Sequence, residues 1–154
     1  MPMVTKQRNP NALTATRRQA LEIGKFRVRV GWAEDMGADP ETVMIAAINM
    51  LGAPAANIPA RDVLTPFIRN SFALIRRKQR SAVLAVNKGK DPEPILRELA
   101  DELREGLKRA LLEYNAEPNA PSTIAKKGFN DPLVGAGAGG GRLVEEANAQ
   151  VTKR

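Results

Sequence analysis

A run of leucines constrains this chain more than any other feature. Leu96, Leu99, Leu103, Leu107, Ala110, Leu111 and Tyr114 recur at steps of three and four, with charged residues between them. That spacing lays one apolar stripe along a helix of 3.6 residues per turn. The stretch "DPEPILRELADELREGLKRALLEYN" therefore reads as an amphipathic helix that must be covered by something apolar. Gly106 lies inside it and lowers its local helix propensity. A second pattern offers a covering surface. In "KFRVRVGW", Phe26, Val28, Val30 and Trp32 point one way, and Lys25, Arg27 and Arg29 the other. A period of two is that of a half-buried strand. Its basic face is open to three readings: solvent, a partner subunit or phosphates.

Three more helices are expected, one of them short. Asp39 is placed as an N-cap, with Pro40 at the first helical position and Glu41 in the first turn. Val43, Ala46, Ala47, Met50 and Leu51 then form an apolar face, and Gly52 ends the helix. From about Arg61 a long helix begins, with Leu64, Phe67, Ile68, Phe72, Ile75, Ala82 and Leu84 at roughly helical spacing and Pro66 near its start. Arg69, Arg76 and Arg80 share one face of it, flanked by Arg77 and Lys78. Trp32, Phe67 and Phe72 are assigned to the core. "ALTATRRQALEI" is expected to form a short helix ending at Gly24, after a disordered arm over residues 1–11.

The closing "LVEEANAQVTK" fits a helix by composition and, by its position, a strand paired with residues 25–32. Its pattern does not choose between them. The elements make one α+β domain over residues 12–154. It has a small, mainly antiparallel sheet packed by two or three helices. A long, flexible Gly/Pro-rich loop is expected over residues 115–142.

Inside that loop, Gly135-Ala136-Gly137-Ala138-Gly139-Gly140 matches the dinucleotide fingerprint G-x-G-x-x-G. The fingerprint works only between a strand and a helix of a βαβ unit, with an acid about 20 residues further on. Only Pro132-Leu133-Val134 precedes the glycines, and too little chain follows Arg142 to complete the unit. A Walker loop would need Gly-Lys-Ser/Thr where Gly141-Arg142-Leu143 stands. No cofactor is expected. The run reads either as a plain linker or as a chain that orders when a partner docks. On the second reading, Lys126, Lys127, Asn130, Gly135, Gly137, Gly139 and Arg142 form a candidate docking loop.

What the chain lacks narrows the chemistry. Its 154 residues include no Cys and no His. Disulfides, thiolate nucleophiles, imidazole acid–base schemes and zinc sites built on these ligands are excluded. No pair of carboxylates stands isolated in an apolar setting, so the chain is not expected to be an enzyme or to hold a metal. The N-terminus has no apolar signal region, and no stretch approaches the roughly 18 apolar residues of a membrane span.

The formal charge of +7 is distributed in blocks. Residues 1–31 carry seven Lys/Arg against one Glu. Residues 32–60 carry four acids and no base. Residues 61–90 carry eight Lys/Arg against Asp62, and residues 91–118 are net acidic. Such blocks suit solvated faces, or surfaces that meet complementary surfaces on copies of the same chain.

Two stretches together carry a resemblance: "VRVGWAED…ETVMIAAINMLGAPAANIPARDVLTPFI" over residues 28–68 and "PNAPSTIAKKGFNDPLVGAGAGGGRL" over residues 118–143. The chain resembles the small neck and tail-completion proteins of tailed bacteriophages, of the virion-morphogenesis type. The matching features are the Val-x-Val-Gly strand at Val28–Gly31 and the Ala-rich helix running into Gly at Ala46–Gly52. Ile58-Pro59-Ala60-Arg61, Pro66-Phe67 and Asn130-Asp131-Pro132-Leu133-Val134 follow in the same order. Where the family usually has Asp-Thr-Gly, this chain has its glycine run, and the pattern resumes at Gly141-Arg142-Leu143.

The resemblance implies an α+β fold with a last strand at about residues 143–152. It implies a structural protein of the virion, made in the host cytoplasm. Its subunits would form a ring of six or twelve at the head–tail junction, around the channel that DNA crosses. The implied partners are copies of the chain itself, neighbouring head–tail connector and tail-tube proteins, and, transiently, packaged DNA, but no membrane. Lys25, Arg27, Arg29, Arg69, Arg76 and Arg80 are then candidates for the subunit interface or the DNA-facing surface, with the acids of residues 34–41 as possible interface partners. The alternative is a cytosolic protein that binds nucleic acid without sequence preference, through the same basic residues.

Overall fold

The computed structural model describes residues 10–128, 130–135 and 140–153. In chain order these form α1 (Pro10–Gly24), β1 (Phe26–Gly31), α2 (Pro40–Leu51), α3 (Leu64–Asn87), α4 (Glu93–Glu113), α5 (Pro121–Lys127), α6 (Arg142–Glu145) and β2 (Asn148–Lys153). Single 3-10 turns at Glu34–Met36 and Pro54–Ala56 flank α2.

Helix α4 is the centre. It packs against α3, with which it forms a helical hairpin, and against both strands. Its stripe is buried as the spacing predicts: Leu96, Leu99, Leu103, Leu107 and Leu111 are all inside, the last two with no exposed surface. Burying a leucine side chain fully contributes about 1.5–3 kcal/mol. Phe67 of α3, Ala46 of α2, Leu133, Leu143, Val144 and Ala147 complete the same core. Gly106 is explained by this packing. A Cβ there would lie 3.0 Å from Cε2 of Phe67, so the absent side chain makes room for the ring.

β1 and β2 pair antiparallel, in register from Phe26 opposite Lys153 to Gly31 opposite Asn148. The structure thus resolves the closing segment as a strand on residues 25–32. The strand begins later than expected, because residues 142–145 form one helical turn first. Two long-range bonds hold that turn. The indole Nε1 of Trp32 donates to the carbonyl of Leu143 at 2.9 Å, and the amide of Asp39 donates to Glu146 Oε2 at 2.7 Å.

Helix α2 starts and stops where its sequence says. Asp39 Oδ1 accepts from the Glu41 amide at 2.8 Å, Pro40 follows the cap, and the Gly52 amide closes on the Ile48 carbonyl. Its buried face differs from the expected one. Thr42 and Ala46 are buried and Ile45 and Asn49 half-buried, whereas Ala47 and Leu51 are exposed. The rotation follows from Arg61, whose amide donates to the Asn49 carbonyl at 2.6 Å and whose Nη1 donates to Asn49 Oδ1 at 3.1 Å. These bonds turn Asn49 toward the protein and Leu51 away from it.

Three other expectations change. Phe72, assigned to the core, is 52 % exposed, because α3 turns Phe67, Ala82 and Ala85 inward instead. Helix α1 already begins at Pro10, inside the expected arm, and residues 1–9 of that arm lie outside the described residues. The segment 115–142 is not loop throughout, since α5 occupies Pro121–Lys127 and ends at Gly128 with φ +79°. Beside it, Asn119 is buried and ties the segment together. Its amide donates to Asn130 Oδ1 at 3.0 Å and its Nδ2 to the Asp131 carbonyl at 3.2 Å, while Pro132 and Leu133 sink into the core.

Candidate interaction surfaces

The basic face of β1 is largely committed to its own chain. Lys25 Nζ pairs with Glu22 at 2.6 Å. Arg29 forms a two-pronged contact with Asp35, at 3.2 and 2.7 Å, and also donates to Gln150 Oε1 at 3.1 Å. The guanidinium holds the Asp35 carboxyl below the usual carboxylate range. Arg27 alone of the three is exposed without a partner among the described residues.

The candidate docking loop divides in the same way. Arg142 Nη1 pairs with Glu41 Oε2 at 2.6 Å, tying α6 to α2. Asn130 is an acceptor for Asn119 and so has a local structural role. Lys126 is exposed on α5, and Lys127 ends that helix. Gly135 donates its amide to the Gly140 carbonyl at 2.7 Å. The two ends of the glycine run therefore meet, so closely that a Cβ on Gly141 would stand 2.6 Å from the Gly135 Cα. Gly140 and Gly141 have φ of +83° and +80°, a region that disfavours side chains. Glycine is required here by close backbone approach, and the neck sits against Leu112 and Val144. Gly137 and Gly139 lie outside the described residues.

Helix α3 presents a different surface. It contains five Lys/Arg and no acid. Only Lys78 forms ion pairs among the described residues, to Glu98 and Glu102 of α4, each at 2.8 Å. Those carboxylates, Glu102 first, raise its pKa. Arg76 lies over the Phe72 ring, 5.8 Å from its centroid. Arg69, Arg77 and Arg80 are exposed with no ion pair to a described residue. The steps from Arg69 to Phe72, Arg76, Arg80 and Val83 are three or four residues, so these side chains share one outward face. Leu84, 51 % exposed, borders it.

Helix α2 presents the opposite chemistry. Met44, Ala47 and Leu51 form an exposed apolar stripe, with Met44 at 60 % and Leu51 at 78 % exposure. At its N-terminal end, Arg142 is surrounded by the carboxylates of Glu41, Asp39 and Glu146, which raise its pKa. Three acids about one guanidinium leave that end of α2 net negative.

Sequence reasoning found the arginines of α3 and the acids before α2. It did not find the apolar stripes. Their signal was the composition of α2, "PETVMIAAINML", which is too apolar all round for a helix buried on one side only. Arg61 was also missed as a structural clamp: besides its bonds to Asn49, its Nε reaches the Glu117 carbonyl at 3.4 Å.

Among the described residues no cluster of three or more potential metal ligands is present, and no helix is long and apolar enough to cross a membrane. A groove runs between α1, β1 and the α3–α4 turn, where Arg18, Glu22, Phe26, Lys90 and Lys153 line an open trough. Comparison with protein-family models, curated proteins and solved structures finds no match.

Proposed function

We propose that this chain is a structural protein of a tailed bacteriophage virion. It assembles into a ring at the head–tail junction, as a neck, tail-completion or tail-terminator subunit around the DNA channel. The reading involves no catalysis and no cofactor. It rests on the ordered resemblance of residues 28–68 and 118–143, and the observation that supports it best is β2. The resemblance implies a terminal strand beyond the Asn-x-Pro-Leu-Val segment, and Asn148–Lys153 is a strand paired along β1. The Asn130–Val134 segment itself is anchored through Asn119 and Leu133. The test is immunogold electron microscopy of intact virions with antibody to this chain. Label at the head–tail junction is expected; particles that lack label, with all of the protein free in the lysate, would overturn the reading.

One observation favours a second reading. Arg69, Arg77 and Arg80, without an ion pair among the described residues and on an acid-free helix, suit a phosphate backbone. A nucleic-acid-binding protein of this kind would lose affinity steeply and linearly in log salt, and Arg69→Gln/Arg80→Gln would flatten that slope. Binding that ignores salt would remove this alternative.

A further inference from the structure

The exposed faces of α2 and α3 are chemically complementary, and neither is suited to itself. The α3 face carries Phe72, Val83 and Leu84 among Arg69, Arg76, Arg77 and Arg80. The α2 face carries Met44, Ala47 and Leu51, with Asp39, Glu41 and Glu146 at its N-terminal end. Placing α3 against α3 of a second copy brings arginines together, and placing α2 against α2 leaves the acidic end of each helix without a cationic partner. The first juxtaposes like charges, and the second supplies no opposite charge. Placing α2 of one copy against α3 of the next matches apolar stripe to apolar stripe and opposite charge to opposite charge. Within one chain the two helices are anchored to different neighbours, α2 on α6 and α3 on α4 and α1.

We infer that the α2 stripe of one subunit docks on the α3 face of the next copy of this chain, in a head-to-tail contact. Such a contact uses two different patches, so each added subunit leaves a free patch at either end until rotation closes a ring. The inference deepens the ring reading and rests on it for its biological setting. It assigns the contact to the two helices and reduces the roles of Lys25, Arg29 and Arg142, whose charges are already paired within the chain. It also gives the exposure of Leu51 and Phe72 a cause: each is a core position of an interface that forms only between subunits.

The lack of native cysteine makes this directly testable by disulfide cross-linking of the full chain. Met44→Cys and Leu51→Cys supply the α2 side; Phe72→Cys and Leu84→Cys supply the α3 side. Under mild oxidation, at least one of the four mixed α2/α3 pairs should give a covalent dimer. Each single variant alone should give none. A chain carrying both cysteines of the successful pair should give a ladder extending beyond the dimer.

Cross-links only between identical positions would overturn the proposal, as would a double variant that stops at the dimer, or no cross-link in any mixture. These failures are distinct from failure of the ring reading. Label at the head–tail junction without mixed cross-links would keep the virion role and discard these faces. Mixed cross-links without label would keep the faces and discard the virion. Because all four positions are exposed, loss of folding is not expected to mask the result.

Discussion

Helices α4 and α2 are both rich in apolar residues, yet they use them in opposite ways. In α4 five leucines fall on one stripe with charges opposite, and all five are buried, while Leu112, off that stripe, is exposed. In α2 the apolar residues surround the axis, and the protein covers only one side of them. The buried side is chosen by Thr42, Ala46 and Asn49, and the largest side chain at its end, Leu51, is left outside. The difference teaches that amphipathicity dictates which face goes in, whereas uniform apolarity leaves the choice to polar anchors. The surplus then stays on the surface, as Met44 and Leu51 do.

Substitution should separate the two helices most sharply at their leucines. Leu107→Ala removes a side chain with no exposed surface and is expected to cost about 2–5 kcal/mol, seen as a large fall in Tm. Leu51→Ala is expected to stay within about 0.5 kcal/mol, because the side chain lies mainly in solvent. Equal losses at the two positions would break the comparison and place Leu51 in the monomer core.

The anchor of α2 should rank next. Arg61→Ala removes the guanidinium that holds Asn49 and is expected to cost about 1.5–3 kcal/mol by chemical denaturation. No loss of stability would mean that the face of α2 is selected without Arg61.

A smaller effect is expected at Gly106 in α4. Replacing an interior helical glycine by alanine ordinarily stabilises by about 0.8–1 kcal/mol. Here the new methyl would press on the Phe67 ring at 3.0 Å, and overpacking opposes the gain. The Tm of Gly106→Ala should therefore be unchanged or lower. A rise matching the full helix-propensity gain would show that the α3–α4 contact yields freely.

The weakest effects are those of pH, since the groups concerned are near the surface. Asp62 caps α3 through Thr65, and Asp35 accepts from Arg29; these bonds lower both carboxyls. A lowered folded value means a contribution fully present above the ordinary carboxylate range and lost as pH falls through the folded value. Lys78 is raised by Glu102 and Glu98, so its contribution is present below the ordinary lysine value and lost as pH rises through the folded one. Tm should thus decline on both limbs, and Lys78→Met should flatten only the alkaline limb. A Lys78→Met profile identical to that of the unsubstituted chain would remove the link between α3 and α4 through that lysine.

Much of the fold was legible because it is written in short-range periods. The three-and-four spacing of the α4 leucines, the alternation of residues 25–32, and the Asp39-Pro40…Gly52 caps each require only neighbours within a turn or two. The α+β class followed from these elements. The arginines of α3 were legible as a face for the same reason, although their lack of ion pairs among the described residues was not. Lys25, Arg29 and Arg142 looked equally available, and each is paired in the fold, Arg142 with a residue far away in the chain.

Tertiary structure alone decided what depends on distant contacts. The closing segment became a strand because β1 offered an edge and Trp32 and Asp39 fixed the turn before it. Gly135 and Gly141, at the two ends of the glycine run, are pinched together because they meet backbone to backbone. Phe72 and Leu51 went outward because Phe67 and Asn49 found partners inside. Periodicity by itself determines which residues share a face; which face is covered is an energy difference between competing contacts, and those contacts exist only once the chain has folded.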